Sequence, residues 1–360
     1  MTIDADKVRE ALKSVRDPAT GRPIAAGQLT EVEVQGDHVR LAVDLISPGF
    51  PQKDALEAAI RGALAPLGGD VAIDFGLRVP TKPARQDLNR LPTVKNIIAV
   101  AAGKGGVGKS TVSVNIATAL QRLGAKVGIL DADIYGPSVP KMLGAAERET
   151  TTTADGKRIS PAIYRGITVM SVDYFVEPGQ AVVWRGPMIH KLLKQFLEDV
   201  AWGDLDYLIV DLPPGTGDAQ LSLAQLIPIT GAVIVTTPQE VALIDVRRAV
   251  SMLHKLEVPI LGVVENMSYY ACPACGHHDH IFSSGGGKAL AAELGAELLG
   301  QVPIDHRIAY GGESGVPVVE GAPGSPQAAA LTEVATRAAL AVSVLSATGP
   351  KRSSLLRTVT

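Results

Sequence analysis

The pattern of hydrophobic positions along the chain separates two regions. In residues 4–16 these positions recur at helical intervals and stop at Asp17-Pro18, which predicts a helix ending there. Two alternating runs follow, Leu29 to Val34 and Val39 to Ile46, joined by Gln35-Gly36-Asp37 in the pattern of a β-hairpin. A helix over 52–64 and a strand over 71–77 complete a small α+β unit, residues 1–78. Residues 79–93 carry Pro80, Pro83 and Pro92 among polar side chains and read as a stiff, extended linker. From Val94 the runs become continuous: 96–101, 127–130, 207–210, 232–235 and 260–264 are apolar at nearly every position. Helical patterns lie between or after them, starting at Ser110 and spanning 188–197, 241–256, 288–294 and 325–345. This alternation predicts an α/β domain over 94–346, a mainly parallel sheet covered by helices on both faces, before a mobile tail at 347–360.

Composition narrows the classes. Apolar residues are 46 % of the 360, enough for a sizeable core. The 34 basic and 37 acidic side chains nearly cancel, and no long basic block stands out, so non-specific nucleic-acid binding has no electrostatic support. The chain begins M-T-I-D-A-D-K, and its later apolar stretches are interrupted by Pro228, Glu333 or Arg337. The expectation is a soluble cytoplasmic protein without a membrane span. Only two cysteines occur, Cys272 and Cys275, which argues for a metal or redox site rather than a disulfide framework.

The chemistry concentrates where strands end. Gly103-Lys104-Gly105-Gly106-Val107-Gly108-Lys109-Ser110-Thr111 lies between the apolar run at 96–101 and a helical pattern, the context a phosphate loop requires. Glycines let the backbone approach an anion, and the helix N-terminus favours one. Lys109 is placed to reach β and γ phosphates, and Ser110 to coordinate Mg²⁺. The run Leu208-Ile209-Val210 ends in Asp211, a carboxylate where a Walker B aspartate would hold that ion. Asp131 and Asp133, with one residue between them at the end of another strand, are expected to take different tasks.

Cys272-Pro273-Ala274-Cys275 can bind one metal centre, yet zinc and iron–sulfur sites generally want four ligands. A symmetric dimer would bring four thiolates together. Alternatively, His277, His278 or His280 would complete a zinc site within one chain. A thioredoxin-like pair fits poorly, because the motif does not open a helix. Residue chemistry alone favours zinc slightly and does not decide between zinc and iron–sulfur.

With its second lysine, G-K-G-G-V-G-K-S-T resembles the deviant Walker A of the ParA, MinD and nitrogenase iron-protein class. The resemblance implies that Lys104 reaches a partner subunit's nucleotide across a two-fold axis. It also implies that Asp133 orients the attacking water in one switch, with Asp131 nearer the metal, and that D-L-P-P-G-T-G-D from Asp211 forms the other. Asn266 and the segment Gln301-Val302-Pro303-Ile304-Asp305 would flank adenine. Near the N-terminus, D-P-A-T-G-R-P-I and S-P-G-F-P resemble the MIP18-like (DUF59) domain. That family often carries a cysteine where this chain has Phe50, so a docking module, or else a purely structural appendage, is expected there rather than thiol chemistry.

Together with D-A-D-I-Y-G-P-S, V-E-N-M-S-Y and C-P-A-C-G, these motifs are similar to those of Mrp-type (ApbC/Nbp35-like) P-loop ATPases that carry iron–sulfur clusters. The resemblance implies a homodimer that binds ATP and Mg²⁺ and hydrolyses ATP slowly. Cys272 and Cys275 of both chains would hold a bridging 4Fe–4S cluster for transfer to apo-proteins, from a donor the sequence does not name. Three rivals stand beside it. A ParA/MinD-like positioning ATPase needs a basic amphipathic segment, for which Lys351, Arg352 and Arg357 are thin support. A reductase resembling the nitrogenase iron protein needs two well-separated cysteines per chain. A zinc-stabilised P-loop ATPase would transfer no cluster.

Overall fold

The computed structural model describes the chain except residues 1–2, 82–90, 135, 146–150, 176–185, 216–219, 222–224 and 349–360. Most of the expected linker, the last three residues of the second switch and nearly all of the expected tail therefore lie outside the described residues. The chain divides into two compact units, Met1–Lys82 with Ala339–Thr360, and Pro83–Ala338.

In the first unit the helix Ala5–Leu12 starts at Asp4, whose side chain accepts a hydrogen bond from the Lys7 N–H. It ends before the predicted Arg16, which pairs instead with Pro23 in an isolated bridge. Asp17 is fully buried and folds its own turn, accepting from the N–H groups of Ala19 and Thr20 at 3.0 and 2.8 Å. The sheet runs Leu29–Gln35, His38–Leu45, Asp70–Leu77, its first pair antiparallel and its second parallel. Against it the helix Lys53–Leu64 buries Leu56, Ile60 and Leu64, spaced by four residues on one face. Phe50 joins that core at 4 % exposure, so the position a cysteine often takes is an apolar anchor here.

The second unit is built on an eight-stranded sheet. Its order is Leu298–Gln301, Ile260–Glu265, Gly231–Thr236, Val94–Ala102, Leu205–Asp211, Val127–Asp131, Ile167–Ser171, Ala162–Tyr164. Every neighbouring pair is parallel except the last, where Ala162–Tyr164 runs antiparallel at the edge. Strands Leu205–Asp211, Gly231–Thr236 and Val127–Asp131 are buried at every position, the signature of a sheet with both faces covered. Helices Lys109–Arg122, Gly186–Glu198, Glu240–Lys255 and Gly286–Glu293 match the predicted ones within a few residues. The chain leaves Val94–Ala102 for Val127–Asp131 on one side and Gly231–Thr236 lies on the other, so the loop after Ala102 sits where the strand order reverses. Ligands of open α/β sheets bind at such a point.

The helix Pro326–Thr348 runs two residues into the expected tail, and its last turns belong to the first unit. It is long and apolar enough to cross a membrane, but half of its most apolar stretch is buried in the protein. Leu331, Val334 and Ala338 are fully buried, as in a core helix.

Candidate functional site

The phosphate loop connects the buried strand Val94–Ala102 to the helix Lys109–Arg122. Two of its glycines are required by close approach. A Cβ on Gly103 would lie 2.2 Å from the Val246 backbone nitrogen, because the helix Glu240–Lys255 packs directly on it. Gly108 has φ +83°, and a Cβ there would lie 2.1 Å from Asn266 Nδ2.

At the start of the helix, Lys109 is only 6 % exposed. Its Nζ lies 2.7 Å from Asp211 Oδ2 and 3.7 Å from Asp133 Oδ2, so one buried cation faces the carboxylates of two strand ends. Ser110 Oγ donates to Asp211 Oδ2 and Ser113 Oγ to Asp211 Oδ1, each at 2.6 Å. The fully buried Asp211 is thus held on both oxygens, which compensates its loss of water. Ser113 escaped the sequence reading. The signal was its place three residues after Ser110, on the same helix face.

Asp131 and Asp133 separate because the strand ends at Asp131 and the chain turns; two positions apart in a continuing strand they would share a face. Asp133 turns towards Lys109, whereas Asp131 is fully buried and accepts from the N–H groups of Ser138 and Val139 at 3.0 and 3.1 Å. Burial, and then the neighbouring Asp211, push the Asp131 carboxyl up to about 7, with Lys109 pulling the other way. Asp131 therefore ties down the segment that carries Asp133. Lys104 is half-buried and makes no ion pair with a carboxylate among the described residues.

The oxygen donors fit Mg²⁺. Ser110 Oγ and the Asp211 carboxylate are hard ligands 2.6 Å apart, close to the roughly 2.9 Å between adjacent oxygens of an octahedral Mg²⁺ shell.

Beside the loop runs the segment after strand Ile260–Glu265. Asn266 Nδ2 donates to the Val107 carbonyl at 2.8 Å, bolting this segment to the phosphate loop. Ser268 N–H bonds to Val302 O at 2.9 Å, and Val302 N–H to Glu265 O at 2.9 Å. Asn266 and the buried Pro303 thus stand on adjoining segments. Glu265, which the sequence reading also missed, is fully buried and accepts from Ser268 Oγ, Gln301 Nε2 and Gly287 N–H at 2.5, 2.7 and 2.5 Å.

The cysteines sit at the tip of a short hairpin, Tyr270–Ala271 paired with His278–Asp279. Cys272 N–H bonds to His277 O at 2.9 Å and Gly276 N–H to Cys272 O at 2.8 Å, closing the turn. Cys275 is exposed and Cys272 half-exposed. The N–H of Ala274, then the N–H and thiol of Cys275, hydrogen-bond to the Cys272 sulfur and lower its pKa, favouring the thiolate that binds metal. Two of the three histidines are engaged otherwise: His278 stacks on Tyr269 with centroids 4.3 Å apart, and His280 Nδ1 donates to Ser268 O at 3.2 Å. Among the described residues no group of three or more His, Cys, Asp and Glu side chains could hold a metal ion.

Residues 93–339 match the NUBPL iron-transfer P-loop NTPases, and residues 5–75 match the iron–sulfur cluster assembly proteins. An iron–sulfur cluster carrier protein of Deinococcus radiodurans is 46 % identical over 344 residues, 94 % of this chain and 96 % of that one. The carrier protein of Escherichia coli K12 is 48 % identical over 303 residues, 83 % of this chain and 82 % of its own. Among solved structures, an Archaeoglobus fulgidus nucleotide-binding protein in complex with ADP is 39 % identical with a TM-score of 0.57, covering 63 % of this chain and 89 % of that one. The cell-division ATPase MinD of Pyrococcus furiosus, 24 % identical with a TM-score of 0.52 over 67 % of this chain and 97 % of its own, shares the fold. The phosphate loop, its strand-end aspartates and the exposed cysteine pair therefore sit in a chain that belongs to the NUBPL iron-transfer P-loop NTPase family.

Proposed function

We propose that the protein is a cytoplasmic, homodimeric iron–sulfur cluster carrier that hydrolyses ATP slowly and delivers a bridging 4Fe–4S cluster to apo-proteins. The observation that carries this reading is the exposed pair Cys272 and Cys275, which offers two sulfurs with no third ligand converging on them among the described residues. Two sulfurs are half of the usual four-thiolate shell, and a second copy supplies the rest. A cluster shared in this way loses half its ligands when the subunits part, which suits delivery. The carrier proteins to which the chain is similar point the same way.

ATP is the substrate of the phosphate loop. The N–H groups of Gly103 to Thr111 surround its phosphates, and Lys109 exchanges part of its pairing with Asp211 for the β and γ oxygens. Ser110 and Asp211 hold Mg²⁺, which when bound neutralises charge on those phosphates. Asp133 orients the attacking water, Lys104 reaches the partner's nucleotide, and Asn266 and Pro303 flank adenine. No residue in the sequence announces an arginine finger, and turnover is expected to be slow on that ground.

Anaerobic reconstitution with iron and sulfide, read as metal per dimer, tests the proposal. About four iron and four sulfide per dimer are expected for a shared cluster. Lys109→Ala is expected to abolish ATP turnover and leave the iron count unchanged, whereas Cys272→Ala is expected to lose the brown chromophore with near-normal folding. A permanent monomer holding one zinc per chain, or a Cys272→Ala protein with a full cluster, overturns it.

A further inference from the structure

The segment Glu265 to Tyr269 touches the phosphate loop at one end and the cysteine hairpin at the other. At the first end, Asn266 Nδ2 donates to Val107 O at 2.8 Å. An amide carries a second N–H and a carbonyl oxygen, so Asn266 can hold the loop and still address a base edge. At the other end, Ser268 O accepts from His280 Nδ1 at 3.2 Å, and Tyr269 stacks on His278, the residue that opens the returning strand of the hairpin. Tyr269 O also accepts from Ile304 N–H at 2.7 Å, one residue beyond Pro303.

Between the ends the backbone is fixed in an uncommon state. Met267 has φ +55°, a left-handed conformation that non-glycine residues hold only where the surroundings impose it. Here both neighbours impose it: Asn266 through Val107, and Ser268 through the buried Glu265, whose oxygens also engage Gln301 and Gly287. Gly287 admits this carboxylate, since a Cβ there would lie 2.9 Å from Glu265 Oε2.

We infer that Glu265, Ser268 and His280 are positioning residues that transmit nucleotide occupancy from the phosphate loop to the seating of Cys272 and Cys275. The relay rests on the carrier reading for its purpose and on the contacts above for its path. A nucleotide loads Asn266 from two sides, through the loop it holds and the base it meets, and Ser268 and Tyr269 pass the load to the hairpin. Because neither contact needs a γ phosphate, Mg–ADP is enough to drive it.

The test is the rate at which iodoacetamide alkylates the cysteines of the cluster-free protein, with and without saturating Mg–ADP. In the wild-type chain Mg–ADP is expected to slow alkylation by about fivefold or more, the size of a modest coupling between sites. In Ser268→Ala and in His280→Phe the ratio is expected to fall to about one, while ADP affinity stays within about twofold of wild type. His280 is exposed, so its replacement spares folding, and His277→Ala, off the path, is expected to keep the wild-type ratio. A wild-type ratio of one, or an unchanged ratio in both variants, overturns the relay. Failure of the carrier reading shows separately, as a dimer that does not retain about four iron after reconstitution.

Discussion

Asp131 shows how far one side chain can be read from sequence. Two positions from Asp133, it would share that residue's face in a continuing strand, and only the structure shows the strand ending there, with Asp131 fully buried beside Asp211 and capping the turn at Ser138 and Val139. Its carboxyl is raised from 3.8 to about 7, so between those values the folded chain binds more protons than the unfolded one. Unfolding free energy therefore falls as pH rises through that window, and the stability that the bound proton contributes is gone above about 7. Urea denaturation of the nucleotide-free protein at intervals from pH 5 to 8 is expected to show this decline, on the order of a few kcal/mol, and Asp131→Asn to flatten it. An equally steep decline in the variant would assign the effect to another group. Ser113 and Glu265 were harder to read. A serine inside a helix and a glutamate ending a strand acquire meaning only from partners about a hundred and about twenty to forty residues away.

Among the elements, long apolar strands and helices were legible because their periodicity spans several residues. The edge strand Ala162–Tyr164 and the strand Leu298–Gln301 were not, being three and four residues long. The phosphate loop was legible as a motif, yet the reason for its first glycine lies in another helix. Gly103→Ala is expected to force Glu240–Lys255 away from the loop, since the added Cβ meets backbone atoms that cannot swing aside. A loss of about 1–3 kcal/mol and at least tenfold weaker ATP binding are expected, measured by urea denaturation and by equilibrium titration. Wild-type values in both would show that the helix is free to yield. The cysteine motif likewise named its two thiols but not their setting, a hairpin tip whose turn aims N–H groups at Cys272.

For the molecule as a whole, the first unit is completed from the far end of the chain. Leu340 packs against the core of Val8, Leu41 and Ile60, and Ser343 Oγ donates to Ile46 O at 2.7 Å. Ending the chain after Ala338 is expected to destabilise that unit by about 2–4 kcal/mol. Native-state hydrogen exchange is expected to quicken at Leu41 and Val43 and to stay slow at Ile98 in the second unit. Unchanged protection at Leu41 would mean that residues 1–82 suffice. By itself the sequence determined what travels in short contiguous patterns: two units, an alternating α/β order, a phosphate loop at a strand end and a pair of thiols too few for a closed metal shell. Tertiary structure alone decided which distant groups share a buried charge, why Gly103 and Gly108 must lack a side chain, and how the loop meets the hairpin. Those depend on close approaches between residues far apart in the chain, and no local spacing encodes them.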